Sequence, residues 1–154
     1  MTTNFVADIG GTNIRLAQVV NGQIADIRKY LCADFATLND AIKQYFSEFP
    51  ATQFAAGCLA IACPVEGDHV KMTNHYWAFS IKEVQADLGL SWLGVINDFT
   101  SVAHSLPLLG EDQKVQIGQG AATPGANIAV FGPGTGLGVE HLTCTDGKWK
   151  ALDG

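Results

Sequence analysis

The order of apolar and polar runs at the start of the chain predicts three consecutive strands. An apolar, β-prone run over Phe5–Ile9 stops at two glycines, and Ile14–Val20 resumes it. Asn21-Gly22, a strong hairpin signal, then precedes a third run over Gln23–Tyr30. We therefore expect the chain to open with a three-stranded meander.

Helix and strand signals alternate after this meander. Apolar residues from Leu38 to Phe49 fall at i, i+3, i+4, i+7, i+8 and i+11, which is one face of a helix that Pro50 ends. The other predicted elements are a buried strand over Phe54–Ala62, a helix opened by the capping box Ser80–Glu83 and ended at Gly89, a buried strand over Trp92–Ile96, and a helix over Phe99–Leu106. This order predicts an α/β fold, with a mixed sheet covered by helices.

The character of the chain changes at Glu111. Residues Glu111–Ala126 are polar and rich in Gly, Gln and Ala, which is typical of a connection. A strand over Ile128–Phe131, a glycine-rich turn and a hairpin with Asp146-Gly147 at its tip are predicted after it. We therefore expect a first lobe over residues 1–110, and a connection with the first strands of a second lobe over residues 111–154.

Composition excludes several classes of protein. The 154 residues are 47% hydrophobic and carry a formal net charge of −6 with only two arginines, which argues against a nucleic-acid partner. No apolar stretch reaches the roughly 18 residues of a membrane span, and Met1–Asn4 carries no mark of a secretion signal. The four cysteines show no CxxC spacing, so we expect free, buried thiols in a reducing, cytoplasmic protein; they are Cys32, Cys58, Cys63 and Cys144.

The first candidate site is the turn that follows the first strand. Gly10 and Gly11 let the backbone approach a phosphate, and the turn's N–H groups can form an anion-binding nest. Thr12 and Asn13 add side-chain donors, and Asp8 can hold a hydrated Mg²⁺ beside the phosphates. The alternative is a tight hairpin that merely needs glycine.

A second glycine-rich turn lies at residues 132–138, where four of seven residues are glycine. Gly134, Thr135 and Gly136 at its centre repeat the combination of glycines with a hydroxyl. A strained structural turn is the alternative. Because both turns follow buried strands, a nucleotide held between two lobes is the simplest common explanation.

Asn97 and Asp98 end the strand that begins at Trp92, where ligands of such sheets gather. Asp98 is placed to accept a proton from a substrate hydroxyl while Asn97 bonds a second one; the alternative is that Asp98 caps the next helix. Thr73 and Asn74 begin a segment with the hydroxyl, amide and aromatic mixture of a sugar site, although Trp77 in it is expected to be core.

Together these segments resemble the bacterial glucokinase family of ATP-dependent, hexokinase-type sugar kinases. The resemblance rests on Asp8–Arg15, Ala62–Asp68, Met72–Ser80, Ile96–Thr100 and Gly132–Gly138, of which Thr73–Ser80 and Asn97–Thr100 are the most specific to the family. It implies an actin-like ATPase, ribonuclease-H-like lobe, with the first strands of a second lobe. The ROK sugar kinases share the first turn, but their cysteine-rich zinc motif is missing from this sequence.

The resemblance also implies roles. Asp98 would be the base that deprotonates the 6-hydroxyl of glucose, Asn97 would bind neighbouring hydroxyls, and the two glycine turns would hold the ATP phosphates, with Mg²⁺ reached through Asp8. The implied enzyme is a cytoplasmic homodimer that phosphorylates glucose on its way into glycolysis. Family members are longer and continue into a Glu-Gly-Gly-His-type segment that completes the sugar site, so we expect these 154 residues alone to have little or no kinase activity.

Two other functions stay open at this stage. Asp8 and Asp98 can be two carboxylates of a ribonuclease-H-like nuclease, although the acidic charge and the glycine turn count against it. A non-catalytic sugar-binding or regulatory module derived from a kinase is the other alternative, and the sequence shows no helix-turn-helix segment to support it.

Overall fold

A computed structural model of the protein describes residues 2–133 and 137–152. The chain divides into two compact units, Met1–Asp98 and Phe99–Gly154. The assignment of residues 1–110 and 111–154 to two lobes of an enzyme stays a prediction.

The first unit is built on a mixed five-stranded sheet. Its strands and those of a small two-stranded ribbon are β1 (Thr2–Ile9), β2 (Asn13–Val20), β3 (Gln23–Leu31), β4 (Gln53–Ile61), β5 (His69–Lys71), β6 (Ala78–Ser80) and β7 (Trp92–Asn97). The large sheet has the order β3-β2-β1-β4-β7, in which β1, β2 and β3 are the predicted antiparallel meander, and β1, β4 and β7 run parallel. The predicted mixed sheet is therefore confirmed.

Two α-helices and the short 3₁₀ helix Cys32–Asp34 lie in the described part of this unit. Helix α1 (Leu38–Ser47) buries Leu38, Ala41, Ile42 and Tyr45 on the predicted face, and Thr37 and Asp40 form a full capping box at its start. Helix α2 (Ile81–Asp87) starts where Ser80 accepts a hydrogen bond from the Glu83 N–H. The reciprocal partner differs from the prediction, because Asp68 accepts from the Ser80 hydroxyl at 2.6 Å and from the Lys82 N–H at 3.0 Å.

The core of the first unit lies between the sheet and α1. Phe5, Phe46 and Phe54 pack their rings together beside Tyr45, with centroid separations of 4.1–6.5 Å. Gly57 in β4 admits this cluster, since a Cβ at that position would collide with the Phe5 ring. Burial alternates along β4, with Gly57, Leu59 and Ile61 buried and Cys58 and Ala60 half-buried, so the uninterrupted apolar run in its sequence does not mean that both faces are covered.

The ribbon of β5 and β6 was not predicted from the sequence. Each strand has only three residues, too few to show a period, and they pair from His69–Ser80 to Lys71–Ala78. The ribbon carries the segment from Thr73 to Trp77 at its turn.

The second unit contains all of helix α3 except its first residue, together with a three-stranded antiparallel sheet. Helix α3 (Asp98–Ser105) follows β7 directly, and Asp98 is the last residue of the first unit. The sheet order is β10-β9-β8, with β8 at Ile128–Pro133, β9 at Leu137–Thr145 and β10 at Lys148–Leu152. Asp146 and Gly147 both have positive φ, 51° and 73°, which confirms the predicted hairpin tip. Residues 111–126 form a connection whose only helical part is the 3₁₀ turn Glu111–Gln113.

Across the described ranges 2–133 and 137–152, no helix is both long enough and apolar enough to cross a bilayer.

Candidate active site

The first unit brings three chain segments to one edge of its sheet. Strands β1, β4 and β7 run parallel, and Ile9, Ile61 and Asn97 stand side by side in register. The turn after β1, the turn after β4 and the start of α3 therefore all follow from the same edge. This edge is where open α/β sheets bind their ligands.

The turn after β1 is a closed hairpin. The Gly10 N–H donates to the Asn13 carbonyl at 2.9 Å, and the Thr12 carbonyl accepts from the Cys32 N–H at 2.9 Å. The Cys32 thiol donates to the Gly10 carbonyl at 3.4 Å. The backbone of this turn is thus held from β2 and from the residue after β3.

The two glycines of this turn have different reasons to be there, and neither has a left-handed φ. A Cβ on Gly11 would lie 3.0 Å from both the Cβ and the carbonyl oxygen of Asn74, so the close approach of that loop requires glycine. A Cβ on Gly10 would meet only the Asn13 carbonyl, at an ordinary 3.6 Å. The packing of the hairpin therefore does not itself require glycine at position 10.

Asp8, at the end of β1, pairs with Arg15 across the hairpin. The Arg15 Nη1 lies 2.8 Å from the Asp8 Oδ2, and the carboxylate is about half exposed, at 56%. An exposed carboxylate suits Mg²⁺, which binds through one or two carboxylates, substrate phosphates and several waters. In the described ranges, no group of three or more His, Cys, Asp or Glu side chains could hold a metal ion. Mg²⁺ that is bound mainly by phosphates and water does not require such a group.

Asn97 and Asp98 lie beside the turn after β4. The Asn97 Nδ2 donates to the Cys63 carbonyl at 3.1 Å and reaches the Ile61 carbonyl at 3.5 Å. Burial raises the pKa of the Cys63 thiol, and the negative charge of nearby Asp98 raises it further. Asp98 is the first residue of α3. The structure therefore anchors Asn97 on the β4 turn and places the Asp98 carboxylate near the same turn.

The segment Thr73–Trp77 projects from the ribbon. Thr73 and Asn74 are exposed, and Asn74 contacts the first turn at Gly11 as described above. Trp77 is buried, with its indole N–H donating to the Phe35 carbonyl at 3.3 Å, so its predicted place in the core is confirmed. His75 stacks on Tyr76 at 4.2 Å between ring centroids, which helps to fix the loop behind Asn74. Of the two residues predicted to bind sugar here, the structure brings Asn74 to the first turn.

The second glycine turn belongs to the other unit. Gly132 and Gly138 face each other in the β8–β9 pair, and a Cβ on either would collide with the Phe99 ring. These two glycines are therefore explained by packing. Gly134, Thr135 and Gly136, the residues predicted to bind phosphate, lie outside the described residues.

The cysteines match the prediction in part. All four are free thiols, and Cys32 and Cys63 are buried. Cys58 and Cys144 are only half-buried, because the sheet faces that carry them are not fully covered. Burial raises the pKa of the Cys32 and Cys58 thiols, which lowers their reactivity.

Comparison with known proteins places these features in a family. A family model described as Glucokinase matches residues 5–154. The chain belongs to the glucokinase family. Glucokinase from Yersinia enterocolitica is 49% identical over 151 residues, a match that covers 97% of this chain and 46% of that relative. The chain thus spans about half the length of the curated relatives it matches.

Solved structures agree with this family. The crystal structure of glucokinase from an Antarctic psychrotroph is 36% identical, with a TM-score of 0.90, and the match covers 99% of this chain and 49% of that one. A ROK family glucokinase from Streptomyces griseus, solved in complex with glucose and AMPPNP, is 19% identical with a TM-score of 0.63, over 96% of this chain and 46% of that one. The actin-like sugar-kinase fold implied by the resemblance is confirmed.

Three contacts described above were not predicted from the sequence. The Cys63 carbonyl anchors Asn97, Arg15 pairs with Asp8, and the Phe99 ring occupies the space above Gly132 and Gly138. Only the Arg15 pairing had a local signal, since residues 8 and 15 face each other in any two-strand hairpin closed at Gly10–Asn13.

Proposed function

We propose that the protein to which this chain belongs is an ATP-dependent glucokinase, which transfers the γ-phosphoryl group of ATP to the 6-hydroxyl of glucose. The convergence of the Asp8–Asn13 turn, Asn97 and Asp98 on one edge of the sheet carries the proposal. Membership of the glucokinase family supports it, as does the related ROK glucokinase whose structure contains glucose and AMPPNP.

In this proposal Asp98 is the catalytic base. Its carboxylate accepts the proton of the 6-hydroxyl while the sugar oxygen bonds to the γ-phosphorus. The bond from that phosphorus to the bridging oxygen breaks, and ADP leaves with the electron pair. Asn97 has its amide N–H₂ held by backbone carbonyls, which fixes the side chain beside the base for a hydrogen bond to a second sugar hydroxyl.

The phosphates of ATP are assigned to the glycine turns. Gly10, Gly11, Thr12 and Asn13 would supply backbone and side-chain donors, and Gly134, Thr135 and Gly136 are proposed to do the same in the second turn. Asp8 would hold Mg²⁺ through water. When bound, the metal would neutralise charge on the phosphates.

Thr73 and Asn74 are proposed to contact the sugar from the ribbon side. The contact between Gly11 and Asn74 supports this, because it puts the ribbon loop against the proposed phosphate turn. Residues 1–110 and 111–154 would belong to the two lobes that enclose the substrates. The whole enzyme is proposed to be a cytoplasmic homodimer that phosphorylates glucose at the start of glycolysis.

The chain matches only part of the length of its relatives, and this limits the activity expected of the 154 residues by themselves. Because the match takes in less than half of the length of the Yersinia enterocolitica glucokinase, we expect the chain alone to show little or no turnover. The missing part of the site is expected to be supplied by a fusion, called the joined protein below, in which Gly154 is followed by the part of that relative that lies beyond the match.

A coupled assay of glucose phosphorylation with Mg-ATP tests the proposal. The joined protein should turn over glucose, while the 154-residue chain and the joined Asp98→Asn variant should not. An inactive joined protein that is folded contradicts the proposed reaction, and turnover by the chain alone at the rate of an intact sugar kinase contradicts the expected incompleteness. Glucose binding without turnover would favour a sensor, and metal-dependent cleavage of RNA or DNA that Asp98→Ala abolishes would favour a nuclease.

A further inference from the structure

Phe99 follows Asp98 in α3 and packs into the β8–β9 hairpin. A Cβ built on Gly138 would lie 2.5–2.7 Å from three atoms of the Phe99 ring, and one on Gly132 would lie 2.6 Å from its Cζ. Real Cβ atoms do not approach other atoms so closely, so the Phe99 ring packs directly against the backbone of both strands at these glycines. The contact fixes the distance between the first turn of α3 and the hairpin.

Glu140 in β9 makes a second contact with the same turn of α3. Its side chain is buried, at 5% exposure, on the strand face that also buries Leu142. The Thr100 hydroxyl donates to the Glu140 Oε2 at 3.1 Å, and the His141 N–H donates to the Oε1 at 2.9 Å. Among the described residues, no lysine or arginine forms an ion pair with this carboxylate.

A buried carboxylate that forms no ion pair with lysine or arginine is unusual on a strand face that packs against a helix. Leucine would bury apolar surface there at no desolvation cost, whereas the carboxylate has to be compensated by hydrogen bonds. The hydrogen bond from Thr100 is directional, so it constrains the rotation of α3 in a way that an apolar contact would not.

The two contacts involve the two residues that come directly after the proposed base. We propose that Phe99, Thr100 and Glu140 are positioning residues, which dock the first turn of α3 on the β8–β9 hairpin and thereby hold Asp98 in place for proton transfer. This inference rests on the proposed function for the role of Asp98. The docking itself is a property of the chain and is measurable without catalysis.

Amide hydrogen exchange on the 154-residue chain tests the docking. Thr100→Val keeps the shape of the side chain and removes the donor, while Glu140→Leu removes the acceptor and keeps an apolar filling. Each should speed exchange of the α3 amides by about tenfold and leave β8, β9, β10 and the first unit unchanged. Thr100→Ser retains the hydroxyl and should restore protection, and Thr145→Val at the exposed end of β9 is the matched control, expected to have no effect.

A small-to-large substitution at Gly138 and a large-to-small substitution at Phe99 test the contact between them independently. Gly138→Ala drives a methyl group into the ring and should speed exchange in α3. Phe99→Ala removes the ring, so the double variant should be less impaired than the sum of the two single variants. Strict additivity, or uniform loss of protection over the whole second unit, would overturn the docking role.

Kinetics of the joined protein test the effect on Asp98. Thr100→Val and Glu140→Leu should lower kcat by about 10- to 100-fold, because a small displacement of the base disrupts proton transfer, with little change in KM for glucose. Full kcat in a variant whose α3 exchange is accelerated would overturn the positioning role while leaving the proposed function intact. An inactive joined wild type would overturn the proposed function and with it this catalytic role, and the exchange data would still decide the docking.

Discussion

The two adjacent glycines of the first turn should respond in opposite ways to the same substitution. Gly11→Ala places a methyl group 3.0 Å from the Cβ and from the carbonyl oxygen of Asn74, whereas Gly10→Ala places one 3.6 Å from the Asn13 carbonyl. Neither glycine has a left-handed φ, so backbone strain does not separate the two variants. The difference between them therefore isolates the packing of the Asn74 loop on the turn.

The magnitude follows from the contact distances. At 3.0 Å the Asn74 backbone has to retreat by several tenths of an ångström, and overpacking of this kind costs about 1–3 kcal/mol. Gly10→Ala has no such clash and restricts the unfolded chain, which is worth a gain of about 0.4–1 kcal/mol. With a urea dependence of about 1–3 kcal/mol/M, the two unfolding midpoints should differ by roughly 1 M.

Urea unfolding followed by circular dichroism measures this difference, with equal slopes required for the comparison. Coincident midpoints for the two variants would refute the packing reason for Gly11. Calorimetric titration with AMPPNP then separates folding from binding. In the joined protein, Gly10→Ala should be at least as stable as the wild type and lose about tenfold or more in affinity for AMPPNP, equivalent to roughly 1.4 kcal/mol. Wild-type affinity in that variant would contradict the use of the turn for phosphate.

Three further predictions concern the base and two structural groups. In the joined protein, Asp98→Asn should abolish turnover and largely spare glucose binding measured by calorimetry; retained activity would refute the assigned base. Hydrogen bonds from the Ser80 hydroxyl and the Lys82 N–H hold the pKa of Asp68 below its usual value, so its contribution to stability is present above about pH 4 and is lost as the pH falls further. Asp68→Asn should therefore flatten the acid limb of the stability curve, and an unchanged limb would contradict this. Burial raises the pKa of Tyr45 to about 12, so its stabilisation should be complete below about pH 10 and decline toward pH 12. Tyr45→Phe should weaken that alkaline decline and cost about 1 kcal/mol at neutral pH through the lost bond to the Asp26 carbonyl, as measured by thermal unfolding.

The elements of the fold were predictable where one physical signal dominated. Asn21-Gly22 adopts positive φ at both residues, 52° and 76°, as the two-residue hairpin demands. The apolar face of α1 is strictly periodic, and Gly89 ends the turn after α2 with φ at 66°. These signals are local, so the sequence alone is sufficient for them.

The contacts within the candidate site depend on residues far apart in sequence. Gly11 and Asn74 are 63 positions apart, and nothing local marks the ribbon turn as the neighbour of the first hairpin. Gly132 and Gly138 fit a phosphate turn in the sequence, yet packing of the Phe99 ring explains both of them. A glycine reports that space is needed, and only the fold shows whether a ligand or a side chain takes it.

Trp77 gives the protein an internal optical reporter. Its indole is buried, hydrogen-bonded to the Phe35 carbonyl and packed edge-on against His75, three positions or fewer from Asn74. Trp92 is more than half exposed, so water should shift its emission to the red, and replacing the half-buried Trp149 with phenylalanine leaves Trp77 as the source of the blue emission. Occupancy of the first turn, passed on through Asn74 to the ribbon loop, should therefore be readable as a change in the blue part of the fluorescence spectrum, without any label.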